Sequence, residues 1–160
     1  MIDTITDSDL PALATMLRGL NIHHMRHAPD RFHDAASDVD LCAFLKDAMA
    51  GGSQILLYRT EGVPRGYLMW RLRDQPADPV QIARRHGVLE HIHVAAGWRR
   101  RGIARRLIRR FEAEIDGIGC TAWITQVHAF NTASAALMRG AGAEVVVNTF
   151  EKRGVSGQKP

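Results

Sequence analysis

Residues 88–116 join an alternating strand, an arginine-rich loop and an amphipathic helix, and this stretch constrains the fold more than any other. The alternation predicts a strand over residues 88–94, and an apolar stripe predicts a helix over residues 102–116. Gly102 marks the start of that helix. Five basic side chains surround it: Arg99, Arg100, Arg101, Arg105 and Arg106. A helix start with this composition is typical of an anion-binding site.

Positive side chains are unfavourable at this end of a helix, because the N-terminus already carries about half a positive charge. Each arginine there costs roughly a few tenths of a kcal/mol unless an anion neutralises it. Gly102 removes a side chain where backbone N–H groups need close approach to a ligand. The loop therefore predicts a diphosphate site. A solvated basic helix face is the alternative interpretation of the arginine run.

Composition fits a single domain over residues 1–153 followed by a polar tail over residues 154–160. Of the 160 residues, 46% are hydrophobic, and the net charge of +4 comes mainly from arginine. An anionic ligand and a nucleic acid are therefore both open as partners. Cys42 and Cys120 are too few for a disulfide framework, and we see no signal-like or membrane-length apolar run. We expect a reduced cytoplasmic protein with no membrane partner.

Periodicity and turn residues predict the remaining elements. Leucines at three- and four-residue steps predict a first helix from about residue 10 until Pro29, and Ser37 is suited to cap a second helix over residues 38–50. The other predicted elements are strands over residues 54–60, 66–73, 121–128 and 144–151, a helix over residues 131–140 and a loop over residues 74–87.

Two motifs carry a resemblance to a known family. Arg-x-x-Gly-x-Ala at positions 99–104, placed between a strand and a helix, resembles the acyl-CoA pyrophosphate loop of the GCN5-related N-acetyltransferase (GNAT) superfamily. The loop matches neither a Walker loop nor a dinucleotide fingerprint. Asn131, the helix after it and Gly142-Ala143 are similar to a second segment of that family. Met138 and Ala143 stand where the family often has tyrosine and phenylalanine.

The resemblance implies an α/β (α+β) fold, in which a mixed, mostly antiparallel sheet splays between two central strands and about four helices flank it. The cofactor, acetyl-CoA, would occupy the gap between residues 88–94 and 121–128. The first two helices and the loop over residues 74–87 would shape the acceptor pocket. By the same resemblance, the backbone of Ile92, His93 and Val94 would pair with the pantetheine of the donor, and Asn131 would lie near the pantetheine arm. The pyrophosphate would be held by the loop and the helix start: Arg99, Arg100, Arg101, Gly102, Ile103, Ala104 and Arg105.

Glu90 is the predicted catalytic base. Strict alternation places it on one face with Ile92 and Val94, among apolar neighbours. Desolvation there would make the carboxylate a proton acceptor suited to an ammonium near neutral pH. Family members frequently place a glutamate at this position. The alternative interpretation is a structural carboxylate paired with a nearby arginine.

Histidines form the other candidate group. His91 and His93 are two apart on a strand, and His23 and His27 are four apart on a helix, spacings that can hold a metal. No cysteine or carboxylate cluster completes such a site, so we expect no metal. We predict instead that His24, His27 and Phe32 line the acceptor pocket, with ordinary hydrogen-bonded histidines as the alternative.

These observations predict an enzyme that transfers an acetyl group from acetyl-CoA to a primary amine of a small molecule or peptide by direct attack. The alternatives are a CoA-binding module without turnover, an RNA-binding module on the same fold and, last, a histidine-rich metalloprotein. Scattered aromatic residues argue against RNA. The apolar run Val145, Val146 and Val147 suggests a homodimer, with an internal strand of a monomer as the alternative.

Overall fold

A five-stranded sheet with strand order β1-β2-β3-β4-β5 organises the chain, and the computed structural model describes residues 1–153. Neighbouring strands from β1 to β4 are antiparallel, and β5 is parallel to β4. The strands are β1 (Ile2–Thr4), β2 (Gln54–Thr60), β3 (Val63–Gln75), β4 (Arg84–Val94) and β5 (Trp123–Thr125). The predicted α/β architecture with a mixed sheet is confirmed.

Within residues 1–153, four α-helices flank the sheet, as predicted: α1 (Leu10–His27), α2 (Asp38–Ala50), α3 (Ile103–Gly117) and α4 (Thr132–Gly140). Side-chain caps fix two of their starts. Ser37 Oγ accepts a hydrogen bond from the Asp40 N–H at 3.1 Å, and Asn131 Oδ1 accepts one from the Ser134 N–H at 3.1 Å. Such caps satisfy N–H groups that have no partner inside the helix.

The two faces of the sheet bury separate cores. Alternation along β3 sends Tyr67 and Met69 toward α1 and α2, and sends Leu68 and Trp70 toward α3 and α4. Gly87 of β4 allows α3 to lie close, because a Cβ there would sit 2.9 Å from the Phe111 ring. The close contact of α3 with the sheet places the α3 N-terminus beside the end of β4.

Some predicted boundaries are wrong. The loop over residues 74–87 is shorter, because the β3–β4 hairpin extends to Gln75 and Arg84 and an Asp74–Arg85 ion pair of 3.1 Å supports its last rungs. The strand predicted over residues 121–128 forms only at β5. Strand β1, which pairs with β2 at one edge of the sheet, was not predicted.

Residues 144–151 do not form the predicted strand. Val145, Val146, Val147 and Phe150 are exposed instead. An apolar run becomes a strand only where another strand accepts its backbone hydrogen bonds, and β5 is three residues long with no neighbour on its outer edge within residues 1–153. The predicted polar tail, residues 154–160, lies outside the described residues.

Candidate active site

The sheet opens between β4 and β5. Pairing stops at Leu89 and Thr125, where Thr125 Oγ1 donates to the Leu89 carbonyl at 2.9 Å, whereas β4 continues to Val94. Next to this point β4 carries a bulge: Met69 pairs with His91 and Trp70 with Leu89, so Glu90 has no partner residue on β3. A bulge bends its strand. The predicted splay between the central strands therefore has a local cause.

A cavity lies at this opening, and several of the predicted site residues line it. Glu90, Ile92, Asn131 and His24 all line it, together with His91. Met138, which stands where the family often has tyrosine, lies on its wall as well. The sequence therefore brings a carboxylate, two imidazoles and an amide to one gap.

Glu90 is surrounded by polar partners, and the prediction of an apolar environment is wrong. Its Oε2 accepts a hydrogen bond from Ser53 Oγ at 2.9 Å, and its Oε1 pairs with Arg71 Nε at 2.9 Å. The bulge is the reason, because it shifts the alternation: Leu89, three residues before Ile92, packs in the same core as Ile92. The Glu90 side chain is 21% exposed and held from two directions.

The loop before α3 has the backbone geometry of an anion cradle. Arg100 (φ 64°) and Gly102 (φ 76°) both have left-handed conformations, which turn successive N–H groups toward one side. The N–H groups of residues 100–105 have no acceptor within residues 1–153. The first turn of any helix leaves such donors free, and anions bind there.

The side chains of the loop are organised around Trp98. The guanidinium carbons of Arg65 and Arg101 lie 4.4 Å and 4.7 Å from its ring centre, within the range of cation–π attraction. Arg99 Nε donates to the Val94 carbonyl at 2.9 Å and ties the loop to the end of β4. Trp98 and Arg65 were not predicted. The sequence feature that could have identified Trp98 as part of the site is its position directly before the arginine run.

The predicted loop arginines keep their charge uncompensated. Among the described residues, no carboxylate lies within ion-pair distance of any of them: Arg99, Arg100, Arg101 and Arg105. Several other arginines of the chain do have carboxylate partners, including Arg59 with Asp9 at 2.6 Å. The positive charge is therefore concentrated where the backbone donors are free.

The predicted acceptor residues belong to an aromatic cluster beside the gap. His24 and Phe32 have ring centres 4.9 Å apart, and His27 stacks on Phe130 at 4.7 Å. Phe130 in turn stacks on His128 at 5.2 Å. Of the three predicted residues, only His24 lines the gap. His128 and Phe130 were missed, because His128 ended a predicted strand and Phe130 fell between that strand and the next predicted helix.

Burial favours the neutral form of three histidines near the gap: His24, His91 and His93. Burial, reinforced by His128, lowers the pKa of His24 to about 4. Burial, with Arg99 and His23 adding to it, lowers the pKa of His93 to about 4. Burial also lowers the pKa of His91, whose Nδ1 is buried without a hydrogen-bond partner in the described part of the chain. A neutral imidazole with a free nitrogen accepts a proton or an N–H bond.

No cluster of three or more histidine, cysteine, aspartate or glutamate side chains suited to a metal ion occurs within residues 1–153. The two histidine pairs that the sequence singled out therefore lack the further ligands that a zinc site needs. Over the same residues, we find no helix with the length and apolar character needed to cross a membrane.

A family model described as the acetyltransferase (GNAT) family matches residues 19–143, which include the splayed strands, the loop and α4. The chain belongs to the GNAT acetyltransferase family, and the resemblance noted in its loop is confirmed. No match was found among curated proteins.

Solved structures of the same fold extend the comparison. A tetramutant of a Bacillus halodurans protein superposes with a TM-score of 0.87 at 18% identity, covering 95% of this chain and 98% of that one. The aminoglycoside 6'-N-acetyltransferase of Acinetobacter haemolyticus gives 0.69 at 20% identity, covering 95% and 98%. An aminoglycoside N-acetyltransferase in complex with CoA gives 0.71 at 17% identity, covering 96% and 98%. At these identities, the likeness shows the fold.

Proposed function

We propose that this chain transfers the acetyl group of acetyl-CoA to a primary amine by direct attack on the thioester. The observation that carries the proposal is the loop before α3, where free N–H groups and unpaired arginines lie next to the opened edge of β4. Family membership supports acetyl-CoA as donor, and a structure of the same fold contains CoA.

The donor would lie along the gap. Beyond Leu89 the edge of β4 that faces β5 has no strand beside it within residues 1–153, so the backbone from Ile92 through His93 to Val94 can pair with pantetheine as an added strand does. The pyrophosphate would rest on the N–H groups of Gly102, Ile103 and Ala104. Asn131 Oδ1 is used in capping α4, which leaves its amide N–H groups to face the pantetheine arm.

Glu90 is the proposed general base. Ser53 and Arg71 each engage one of its oxygens, and each oxygen keeps a second lone pair for an ammonium or a bridging water. The leaving thiolate needs little protonation, since thiol pKa values lie near about 8.5. Met138 in place of tyrosine is therefore compatible with turnover. A module that binds CoA without turnover is the alternative, and release of CoA in the presence of an amine separates the two.

The donor site predicts salt-sensitive binding. Calorimetry should show acetyl-CoA binding that weakens as ionic strength rises, because several uncompensated arginines face a multiply charged ligand and salt screens exposed charges over about 8 Å at physiological strength. Desulfo-CoA, which keeps the pyrophosphate, should show the same trend. Affinity that does not change with salt would count against the loop as the phosphate site.

A homodimer is the proposed assembly, supported by the exposed apolar residues Val145, Val146 and Val147 and by strand β5, which has no neighbour on its outer edge within residues 1–153. Exposed apolar segments and open sheet edges are features that partner chains cover. Light scattering at micromolar concentration should give twice the chain mass of 17.8 kDa. A mass near 17.8 kDa would argue for a monomer. Val146→Lys should shift a dimer toward that lower mass.

We further propose that residues 1–153 act as one acyltransferase domain in a reducing compartment such as the cytoplasm. Cys42 and Cys120 are both free, which supports that placement. Nucleic acid is not the proposed partner, because the aromatic side chains near the loop are occupied: Trp98 lies between two guanidinium groups.

A further inference from the structure

We propose that the acceptor is a primary amine carried on a small apolar or aromatic body, bound in a cavity between α1 and α2, and that amines with several positive charges are excluded. The inference rests on the proposed acetyl transfer and names its substrate class. Four observations support it: the position of this cavity, its lining, the charges around it and an unpartnered nitrogen of His91.

The cavity adjoins the donor gap. It has a volume of about 340 Å³ and is bounded by Leu17 and Asn21 of α1, by Leu41 and Phe44 of α2, and by His91 of β4. His91 lines the donor gap as well, so its ring forms the wall that the two spaces share. A molecule whose body fills the cavity can therefore extend its amine past His91 toward Glu90. The acceptor therefore does not need to enter from the loop side, where the donor would lie.

The lining suits an apolar body. Leu17 and Leu41 are buried core residues at its base, and Phe44 is 49% exposed at its mouth. The Phe44 ring is tilted by only 19° from the His91 ring, with centres 6.1 Å apart. Small-molecule sites are lined mainly by apolar and aromatic side chains with few polar groups. A volume of about 340 Å³ lies at the lower end of the range of roughly 300–1,000 Å³ found for small-molecule sites.

The charges do not suit a polycation. Among the described residues, Asp40 is the one carboxylate that borders the cavity; its Oδ2 accepts from the Ser37 N–H at 2.8 Å and the Ser37 hydroxyl at 2.7 Å, which leaves Oδ1 for a single ammonium. Glu90, at the far side of His91, is paired with Arg71. Arg18, which donates to the Ala36 carbonyl at 2.8 Å, is paired with Asp38 at 2.7 Å, so the Asp38 carboxylate is already engaged by a cation. Each further ammonium of a polyamine would be desolvated here without a partner.

His91 gives the amine a hydrogen-bond acceptor at the shared wall. Its Nδ1 is buried and has no partner among the described residues. An unpaired buried nitrogen costs free energy that a ligand N–H recovers. In the tautomer protonated at Nε2, a small turn of the ring would bring Nδ1 as an acceptor to the amine of a molecule bound between His91 and Glu90, facing the donor gap.

The test uses phenethylamine and tobramycin as probes with acetyl-CoA, following CoA release. We expect kcat/KM for phenethylamine to exceed that for tobramycin by about a hundredfold, because tobramycin presents several ammonium groups. Phe44→Ala should raise KM for phenethylamine roughly tenfold, leave kcat less affected and change KM for propylamine little, since propylamine does not reach the ring. Val39→Ala, on the same helix but 77% exposed and outside the cavity, is the matched control and should match wild type.

The outcomes separate this inference from the proposed function. Preference for tobramycin, or an equal KM change in Phe44→Ala and Val39→Ala, overturns the acceptor class. Acetyl-CoA binding in calorimetry with neither amine acetylated overturns the acceptor class and leaves the donor site standing. Failure to bind acetyl-CoA overturns the proposed function itself. Circular dichroism of both variants should match wild type, because Phe44 and Val39 are not part of either core.

Discussion

Gly102→Val should abolish acetyl-CoA binding while the domain stays folded. The φ of 76° at Gly102 lies in the left-handed region, which costs a β-branched residue about 1–3 kcal/mol. No protein atom lies within 4 Å of a Cβ placed there, so the added side chain enters open space rather than the core. That space borders the N–H groups that would receive the pyrophosphate, and the two methyl groups of valine would occupy it.

Gly119→Val is the matched control, because Gly119 lies just beyond the other end of α3 with a φ of 79° and equally open surroundings. Both variants should lose a similar amount of stability in thermal unfolding, which measures the backbone strain alone. Only Gly102→Val should lose acetyl-CoA affinity in calorimetry. Equal affinity in the two variants would show that the pyrophosphate does not bind at the α3 N-terminus.

Local sequence signals were sufficient for most of the fold and for the loop. The Ser37 cap and the strand at residues 54–60 were placed correctly, since caps and alternation act within a few residues. The loop before α3 could also be predicted, because a glycine at a left-handed position and a basic helix start are both local properties. The apolar stripe of α3 also predicted its buried face, which includes Leu107 and Phe111.

The errors arose where the outcome depends on a partner far away in the chain. The surroundings of Glu90 depend on a bulge, and the alternation of β4 does not reveal that Met69 and Trp70 shift register against it. The C-terminal apolar run has strand composition, yet residues 1–153 leave it without a partner at β5. His128 and Phe130 meet α1 only after folding, so the stacking of Phe130 on His27 and the contact of His128 with His24 have no local signal.

Glu90→Gln should lower turnover by about a hundredfold with acetyl-CoA affinity nearly unchanged. The amide keeps the shape of the side chain and can still accept from Ser53, but it cannot take a proton from an ammonium or a water. Donor affinity should persist, because the proposed phosphate contacts lie in the loop before α3. Arg71, whose side chain is 45% exposed, stays solvated after it loses the carboxylate.

Glu112→Gln is the control for the chemical change itself. Glu112 accepts a hydrogen bond from Trp123 Nε1 at 3.1 Å and does not line the donor gap, so the same carboxylate-to-amide replacement there should leave turnover unchanged. Both variants should unfold at similar temperatures. A large loss of stability in Glu90→Gln alone would identify the Ser53–Glu90–Arg71 contacts as structural.

The pH dependence distinguishes a base from a structural carboxylate. Wild-type turnover should reach its plateau at lower pH than the variant, because Glu90→Gln depends on the free-base fraction of the amine and recovers only as that fraction grows. Full turnover of Glu90→Gln at neutral pH would remove Glu90 from the reaction. The base would then be His91, whose neutral ring has an unpartnered Nδ1 between the donor gap and the α1–α2 cavity, and His91→Asn should carry the hundredfold loss instead.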